Sequence, residues 1–573
     1  TLNFNHLDIT SIFNLKIKNI TSINKKVNKI NYNDISTNLS SKDVQYISIS
    51  TSNYSSVYIV ANKLMNTIFV CFRGTYSVKS GLSYLKLSSI TPKTICDDSD
   101  DGYLLGVSLA TVDTSFYIPL RHESGDNADV QAAIRYLKDT LSTRCPKVGA
   151  NIIYDLEWLR AEGITVNGPK YDIQIAEWLL EEDKRYYNLN SLCLQYLNKP
   201  KFEVKLEAAA DRLGIAHSKI KENLWKMRPE DVAEYAAADA KDALDIWLLQ
   251  APLLHEQGLD NLFYNIETPI VDVLLAMRFK GVPVDVDKAH EVRDMLLKKQ
   301  IQSMIQLSRI AGGEIDVWSG NDIARGANSL GLSLPYTDKG NPSFESDWLS
   351  VQPDEYYQLI SRIRKLDRSG SVFVESKIIG MAKNGRVYPT FRQSKTDEGG
   401  TKSGRFASAN PNAQQVPARD DELAPLIRGL FIAEPGCFWG KADYKQQEPR
   451  VTVHYASLSG LVGAGEARQL YIDTPDLDYH QMIADMAGLE RGVAKTMNLG
   501  LAYGMGAGKM AEKLAVPLSR AKEISKQYHA KVPFIKGLTN LCSNLAETRG
   551  YVKTLSGRRK RFDLWGPKKW TPG

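Results

Sequence analysis

The chain has 573 residues, too many for one hydrophobic core, so several domains are expected. It is 43% hydrophobic and 24% charged with a formal net charge of +6, an ordinary globular balance that says little about nucleic acid unless the charge clusters. No window approaches the ~18–20 continuous apolar residues of a membrane span, and the start, TLNFNHLDIT, lacks the basic-then-apolar pattern of a secretory signal. Six scattered cysteines with no C-x-x-C pair argue against zinc ribbons and disulfide frameworks and for a reducing compartment, so a cytoplasmic protein is expected.

The amino-terminal stretch is dominated by Asn, Ile, Ser and Lys, as in KIKNITSINKKVNKINYND, and the composition changes abruptly near residue 95. That seam suggests two sequences of different origin joined together, with residues 1–95 as a separate segment. Within it, VYIVANKLMNTIFVCFRGT (57–75) reads as two alternating strands around a turn, ending in Phe72-Arg73-Gly74-Thr75. It resembles the strand and oxyanion loop that open the core of class 3 (fungal-type) lipases. A lipase also needs a G-x-S-x-G elbow. The one approximation, Gly106-Val107-Ser108-Leu109-Ala110, ends in Ala and fits a strand better, so an acyl hydrolase is set aside.

Residues 96–250 alternate short strands and helices, the pattern of an α/β domain. YLLGVSLATV and SFYIPL read as adjacent strands, Lys147 to Asp155 as a strand running into a helix, and Tyr235 to Asp239 as part of a closing helix. Tyr235 and Asp239 are four apart and share a helical face. Two-metal phosphodiester cleavage needs converging carboxylates that hold two Mg²⁺ ions about 3.5–4 Å apart. Asn151-x-x-x-Asp155 and Tyr235-x-x-x-Asp239 resemble the second and third motifs of proofreading 3′–5′ exonucleases, which have a ribonuclease H-like fold. The resemblance implies Asp155 and Asp239 as metal ligands and Tyr235 as the group that orients water. The family's first motif, Asp-x-Glu on the opening strand, is absent, and the DDSDDG run at 97–102 reads as a hydrated turn. The expectation is that this strand and its two ligands were lost at the seam, leaving the exonuclease inactive or severely impaired.

Residues 251–385 read as mostly helical, broken at GVPVD and KGNPSF, and residues 386–573 carry the densest motifs. Thr401-Lys402-Ser403-Gly404-Arg405 followed by Ala409-Asn410-Pro411-Asn412-Ala413-Gln414-Gln415-Val416-Pro417 resembles the TGRLSS…NPNLQNIP segment of family A DNA polymerases, the type of bacterial polymerase I and its phage relatives. Phe438-Trp439-Gly440-Lys441-Ala442-Asp443-Tyr444-Lys445-Gln446-Gln447-Glu448-Pro449-Arg450 resembles their motif A: an apolar strand delivering Asp443, then a turn into a helix. Arg491-x3-Lys495-x3-Leu499-x3-Tyr503 resembles motif B. Steps of four residues drift only ~40° on a helix, so these side chains form one stripe.

On this resemblance the fold is α/β multidomain. A ribonuclease H-like exonuclease domain (96–250) precedes an incomplete right hand: thumb and connecting helices (251–385), then partial palm and fingers (386–573). Asp443 would hold Mg²⁺ and Glu448 would exclude ribonucleotides. Arg491, Lys495 and His480 (of Asp478-Tyr479-His480) would grip the triphosphate, with Leu499 and Tyr503 against the nucleotide. Arg405, Gln414, Arg558 and Arg559 would contact primer–template DNA. Leu499 stands where Phe or Tyr is usual, and Lys445 where Ser is usual. The Q-G-x-A-A-D helix and the His-Asp-Glu hairpin of motif C do not occur before Gly573. The resulting expectation is a polymerase by descent that binds DNA and deoxynucleoside triphosphates in a bacterial or phage-infected cytoplasm but does not extend a primer alone. The alternatives are a noncatalytic DNA-binding fragment, or half of a split polymerase completed by a second chain supplying motif C.

Overall fold

The computed structural model describes residues 103–562 apart from 201, 202, 338, 419, 503, 504 and 515, and before them the backbone of six strands between residues 35 and 90. The side chains of residues 487, 499, 501 and 502 are also outside the description. The chain divides into two compact units, Thr1–Phe438 and Trp439–Gly573.

Strands β1 (Ile35–Ser41), β2 (Val44–Thr51), β3 (Tyr54–Asn62) and β4 (Thr67–Arg73) form an antiparallel meander. β3 and β4 are the strand pair expected from the VYIVAN…TIFVCFR alternation, in register from Ser56↔Arg73 to Asn62↔Thr67. Gly74 and Thr75 and the DDSDDG run lie outside the described residues.

Next come β5 (Leu85–Lys86), β6 (Ser88–Ile90), β7 (Gly106–Ala110), β8 (Ser115–Pro119), β9 (Lys147–Gly149) and β10 (Lys170–Asp172). β6, β7 and β8 pair antiparallel, while β5 pairs parallel with β9, and β9 with β10. With one residue between them, β5 and β6 each join one of two three-stranded sheets, β5-β9-β10 and β6-β7-β8. This corrects the expectation that the opening strand was lost at the seam. The strand position is filled by Leu85–Lys86 and Ser88–Ile90, because backbone pairing asks only for extended segments. The carboxylates are what is missing: the strand reads Ser88-Ser89-Ile90. All five residues of β7 are buried, as expected of a strand covered on both faces. Ser108 lies in its middle with no exposed surface, so Gly106–Ala110 is a core strand and not a nucleophile elbow.

The helices that cover these sheets include α1 (Val130–Leu141), α2 (Ile152–Ala161), α3 (Ile173–Leu180) and α4 (Pro229–Glu256). Asp129 caps α1 by accepting the Ala132 amide at 2.7 Å, and Pro229 opens α4 where no amide is needed. Trp247 of α4 stacks on Phe263 (5.1 Å, 25°) and against Tyr171 (4.8 Å) at the centre of the core. Truncating such a ring to Ala costs about 3–5 kcal/mol.

Three further helices follow: α5 (Thr268–Lys280), α6 (Val286–Ala311) and α7 (Glu355–Asp367). Short strands β11 (Val282–Pro283) and β12 (Arg386–Val387) pair, as do β13 (Thr390–Arg392) and β14 (Ala407–Ala409). Val387, Leu423, Ile427 and Leu430 share a core with Val284, Leu296 and Phe373. Residues 386–438 therefore pack with the first unit, whereas the sequence reading groups them with 386–573.

The second unit is helical: α8 (Gln447–Leu458), α9 (Tyr479–Ala487), α10 (Arg491–Ala502), α11 (Leu518–Lys531) and α12 (Pro533–Arg549), closed by the hairpin β15 (Tyr551–Lys553) and β16 (Arg559–Arg561). Its core gathers Val453, Ile483, Met497, Tyr528 and Phe534.

Candidate active site

The turn before α8 is fixed by Gln446, whose backbone is left-handed (φ 55°). Its side-chain oxygen accepts from the Tyr471 hydroxyl (3.0 Å) and the Tyr479 amide (3.2 Å), tying the start of α8 to the start of α9. Lys445, which stands where Ser is usual in the family, donates to the Asp476 carbonyl (2.9 Å) and carboxylate (3.1 Å). Arg450 donates to the Lys445 carbonyl (3.0 Å) and lies over the Tyr471 ring (4.6 Å). Neither tether was legible in the sequence, because both reach 25 residues or more along the chain.

Asp443 precedes this turn on an exposed, irregular segment. The expected apolar strand does not form: residues 437–444 have no strand assignment, and Phe438 is 99% and Tyr444 80% exposed. An extended segment holds its shape only when a neighbour satisfies its amides and carbonyls, and among the described residues none pairs with it. Glu448 stands in the first turn of α8, exposed, and contributes to a cleft of about 440 Å³ that also takes in Thr452, Tyr479, His480 and Asn498.

Asp478 organises the facing side. Its carboxylate caps α9, accepting the His480 (2.9 Å) and Gln481 (3.1 Å) amides, and pairs with Arg491 Nη2 at 2.7 Å and Nε at 3.0 Å. The Arg491 guanidinium, foremost, holds the Asp478 carboxyl below the usual carboxylate range. Burial lowers the His480 pKa, with Arg491 and Lys495 adding to the effect against Asp478, so the ring is neutral near pH 7. Asn498 Nδ2 lies 3.2 Å from His480 Nδ1, and Asn498 Oδ1 accepts from the Tyr528 hydroxyl. The amide therefore donates to Nδ1 and leaves the proton on Nε2.

On α10, Ala494, Met497 and Asn498 are buried, while Arg491 and Lys495 are exposed one turn apart. Leu499 has no described side chain, and Tyr503 lies outside the described residues, so half of the expected stripe is observed. The sequence reading missed Asn498. A polar residue beside Met497 in an amphipathic helix was its only signal.

The DNA-directed candidates sit on two hairpins. Arg405 ends the loop between β13 and β14, where the Thr401 hydroxyl donates to the Arg405 carbonyl at 2.5 Å. Gln414, in the short turn Ala413–Gln415 after β14, donates Nε2 to the Phe406 carbonyl at 3.0 Å and so is tied to the residue next to Arg405. Arg559 opens the return strand β16, directly after Arg558, and lies over the Tyr551 ring at 4.3 Å.

In the exonuclease-like domain, Asp155 is on α2, and Tyr235 and Asp239 are on α4, all three buried. Both helices pack against β6, so the strand that lacks carboxylates runs beside the helices that carry them. Asp172 ties α2 to α3: buried, it accepts the Ile152 and Gln174 amides at 2.8 Å each. Burial raises its pKa against four backbone amides that lower it.

A family model described as DNA polymerase family A matches residues 287–569, and one described as 3′-5′ exonuclease matches residues 95–248. A DNA-directed DNA polymerase of Pseudomonas phage M6 is 35% identical over 528 residues, covering 82% of this chain and 79% of the relative. This chain belongs to the family A DNA polymerases. The polymerase is also similar to DNA polymerase DpoZ of Acinetobacter phage SH-Ab 15497 (29% identity, 81% and 79% coverage). It aligns with about half of DNA polymerase I of Chloroflexus aurantiacus (28% identity, 80% of this chain, 48% of that one). Its fold is shared with the POL domain of Pol1 from M. smegmatis in complex with DNA primer-template and dNTP (TM-score 0.64, 21% identity, 80% and 76% coverage). It is a DNA-directed DNA polymerase carrying an exonuclease domain.

Polymerase and exonuclease domains of this family use divalent metals. Among the described residues, no three His, Cys, Asp or Glu side chains come together as ligands. Asp443 in the polymerase part, and Asp155 with Asp239 in the exonuclease part, do not by themselves make a metal site. No helix of the described residues is long and apolar enough to cross a membrane.

Proposed function

We propose that the second unit binds the incoming deoxynucleoside triphosphate in the cleft that α8, α9 and α10 line together with α12, and that Arg491 and Lys495, on the exposed face of α10, receive its phosphates with the neutral His480. The Asp478–Arg491 pair carries this reading. It holds a guanidinium at the amino end of α10, where backbone amides already favour an anion. Arg491 can exchange one carboxylate oxygen for phosphate oxygens with its fork geometry intact. Lys495 adds a second cation one turn along, with no ion pair among the described residues. His480 Nε2–H donates to phosphate without needing to take up a proton. Glu448, on the same cleft, limits the sugar at C2′, and the motif assigns Leu499 and Tyr503 to the nucleotide. Asp443 is the oxygen donor offered to Mg²⁺. Arg405 with Gln414, and Arg558 with Arg559, take primer–template phosphates and sugars, which gives binding that weakens with salt. Nothing in the relatives supports a second chain, and this reading does not use one.

The test is titration of a fluorescent dNTP into the full chain with primer–template. Arg491→Ala and Lys495→Ala are each expected to weaken binding about tenfold or more, as loss of a charge-assisted contact does. Unchanged affinity in both variants would overturn the assignment.

The exonuclease domain, in this reading, keeps its fold and lacks hydrolytic activity, because the strand beside α2 and α4 carries Ser88-Ser89-Ile90. A Mg²⁺-dependent 3′ exonuclease assay that gives equal, background release for the chain and for Asp155→Ala supports this. Robust release that Asp155→Ala abolishes would refute it.

A further inference from the structure

The loop that joins β13 to β14 runs from residue 393 to 406 and carries Arg405 beside its end. Hairpin loops are usually two to five residues, and a longer one needs anchors to hold one shape. Its anchors here are on the exonuclease domain. The turn at Thr396–Gly399, closed by Thr396 N–H to Gly399 O at 2.7 Å, puts Asp397 at its tip. The Asp397 carboxylate accepts the Tyr187 amide at 2.6 Å on one oxygen and Asn188 Nδ2 on the other. Two more contacts flank it: Lys395 donates to the Lys184 carbonyl at 2.7 Å and Lys402 pairs with Asp183. At the loop's start, Gln393 Nε2 is buried and donates to Glu267 at 2.8 Å.

The exonuclease side of this contact is held by bonds of its own. The Tyr187 side chain is fully buried, its hydroxyl donating to the Glu181 carbonyl at 2.9 Å. Asn188 caps the next helix, its oxygen accepting the Ser191 amide at 3.0 Å. Lys184 is pinned from within by the buried Glu177 carboxylate. This edge thus meets a long loop through Asp397, which bonds two of its groups.

We propose that Asp397 is a positioning residue for primer–template binding. Through it, the exonuclease domain sets the shape of the loop that presents Arg405, independently of any nuclease activity. This rests on the reading that Arg405 contacts the primer–template. Asp397 is the discriminating position because it is an anion. Removing it raises the local positive charge, so electrostatics alone predicts tighter DNA binding, whereas loss of positioning predicts weaker binding.

The experiment is fluorescence anisotropy of labelled primer–template with the full chain, at two salt concentrations, for five variants. Arg405→Ala tests the underlying reading and is expected to weaken binding and flatten the salt dependence. Asp397→Ala is expected to weaken binding roughly threefold to tenfold, the size of an indirect coupling, with the salt dependence unchanged. Asp397→Asn alone sets two amide groups against each other and is expected to weaken binding similarly. Asn188→Asp alone sets two carboxylates against each other with the same result. The double exchange Asn188→Asp with Asp397→Asn restores a donor–acceptor pair, retains the helix cap, and is expected to recover wild-type affinity. Binding by Asp397→Ala that equals or exceeds wild type while Arg405→Ala is weakened overturns the proposal and leaves the Arg405 reading standing. An unchanged Arg405→Ala removes both. A double exchange no better than its single variants also overturns the proposal, since a merely local disturbance would not be rescued.

Discussion

Replacing Asn498 with Ala isolates a linkage found only in the tertiary structure. Asn498 (7% exposed) joins Tyr528 (0% exposed) to His480, so its loss strands a buried hydroxyl. An unsatisfied buried donor costs about 1–3 kcal/mol, while His480, half-buried, can regain a partner from water. The expected loss is about 2 kcal/mol, or a fall of roughly 8 °C in the unfolding temperature of a unit this size. Calorimetry of the full chain is the assay, read on the transition that shifts, because a multidomain chain need not unfold in one step. Tyr528→Phe leaves the Asn498 oxygen without its donor and is expected to cost about 1 kcal/mol. In the double variant neither partner is stranded by the other, so the two losses should fall short of additive by roughly 1 kcal/mol. Strict additivity, or an unshifted transition for Asn498→Ala, would refute the linkage.

Other outcomes follow from the same contacts. His480 and His122 both have lowered pKa values, His122 through burial with its ring between the Tyr117 hydroxyl (2.8 Å) and the Met227 carbonyl (2.7 Å). The folded state then binds fewer protons than the unfolded one. Stability is full above the ordinary histidine pKa near 6.5 and declines as pH falls through the folded values; a urea midpoint unchanged between pH 7.5 and 5.5 would contradict this. Burial pushes the Glu157 carboxyl up to about 7 despite Arg278 at 2.8 Å. The folded state retains a proton that the unfolded state loses near pH 4.5, so this group destabilises progressively from pH 4.5 to 7. Glu157→Gln should gain on wild type as pH rises from 5 to 8, and parallel stability curves would count against it. Asp172→Ala should expose the Ile152 and Gln174 amides inside the core, costing about 3 kcal/mol or more and loosening α2 to hydrogen exchange first. Protection of α2 equal to that of α4 in this variant would argue against the role.

The sequence alone determined what local spacing can encode. Four-residue steps put Arg491 and Lys495 on one exposed face of α10 and Tyr235 and Asp239 on one face of α4; alternation marked β3 and β4, and the order of motifs marked the family. These features depend on helix and strand periodicity, which a short window contains. The tertiary structure decided what depends on partners distant in the chain. Leu85–Lys86 and Ser88–Ile90 became sheet strands because β9 and β7 offered edges to pair with. The run before Asp443 stayed irregular for want of such an edge among the described residues. Lys445 found Asp476, Asn498 found Tyr528, and Asp397 found Tyr187 and Asn188 more than 200 positions away. No periodicity records such pairings, because a hydrogen bond is chosen by distance in space, and that distance exists only once the chain has folded.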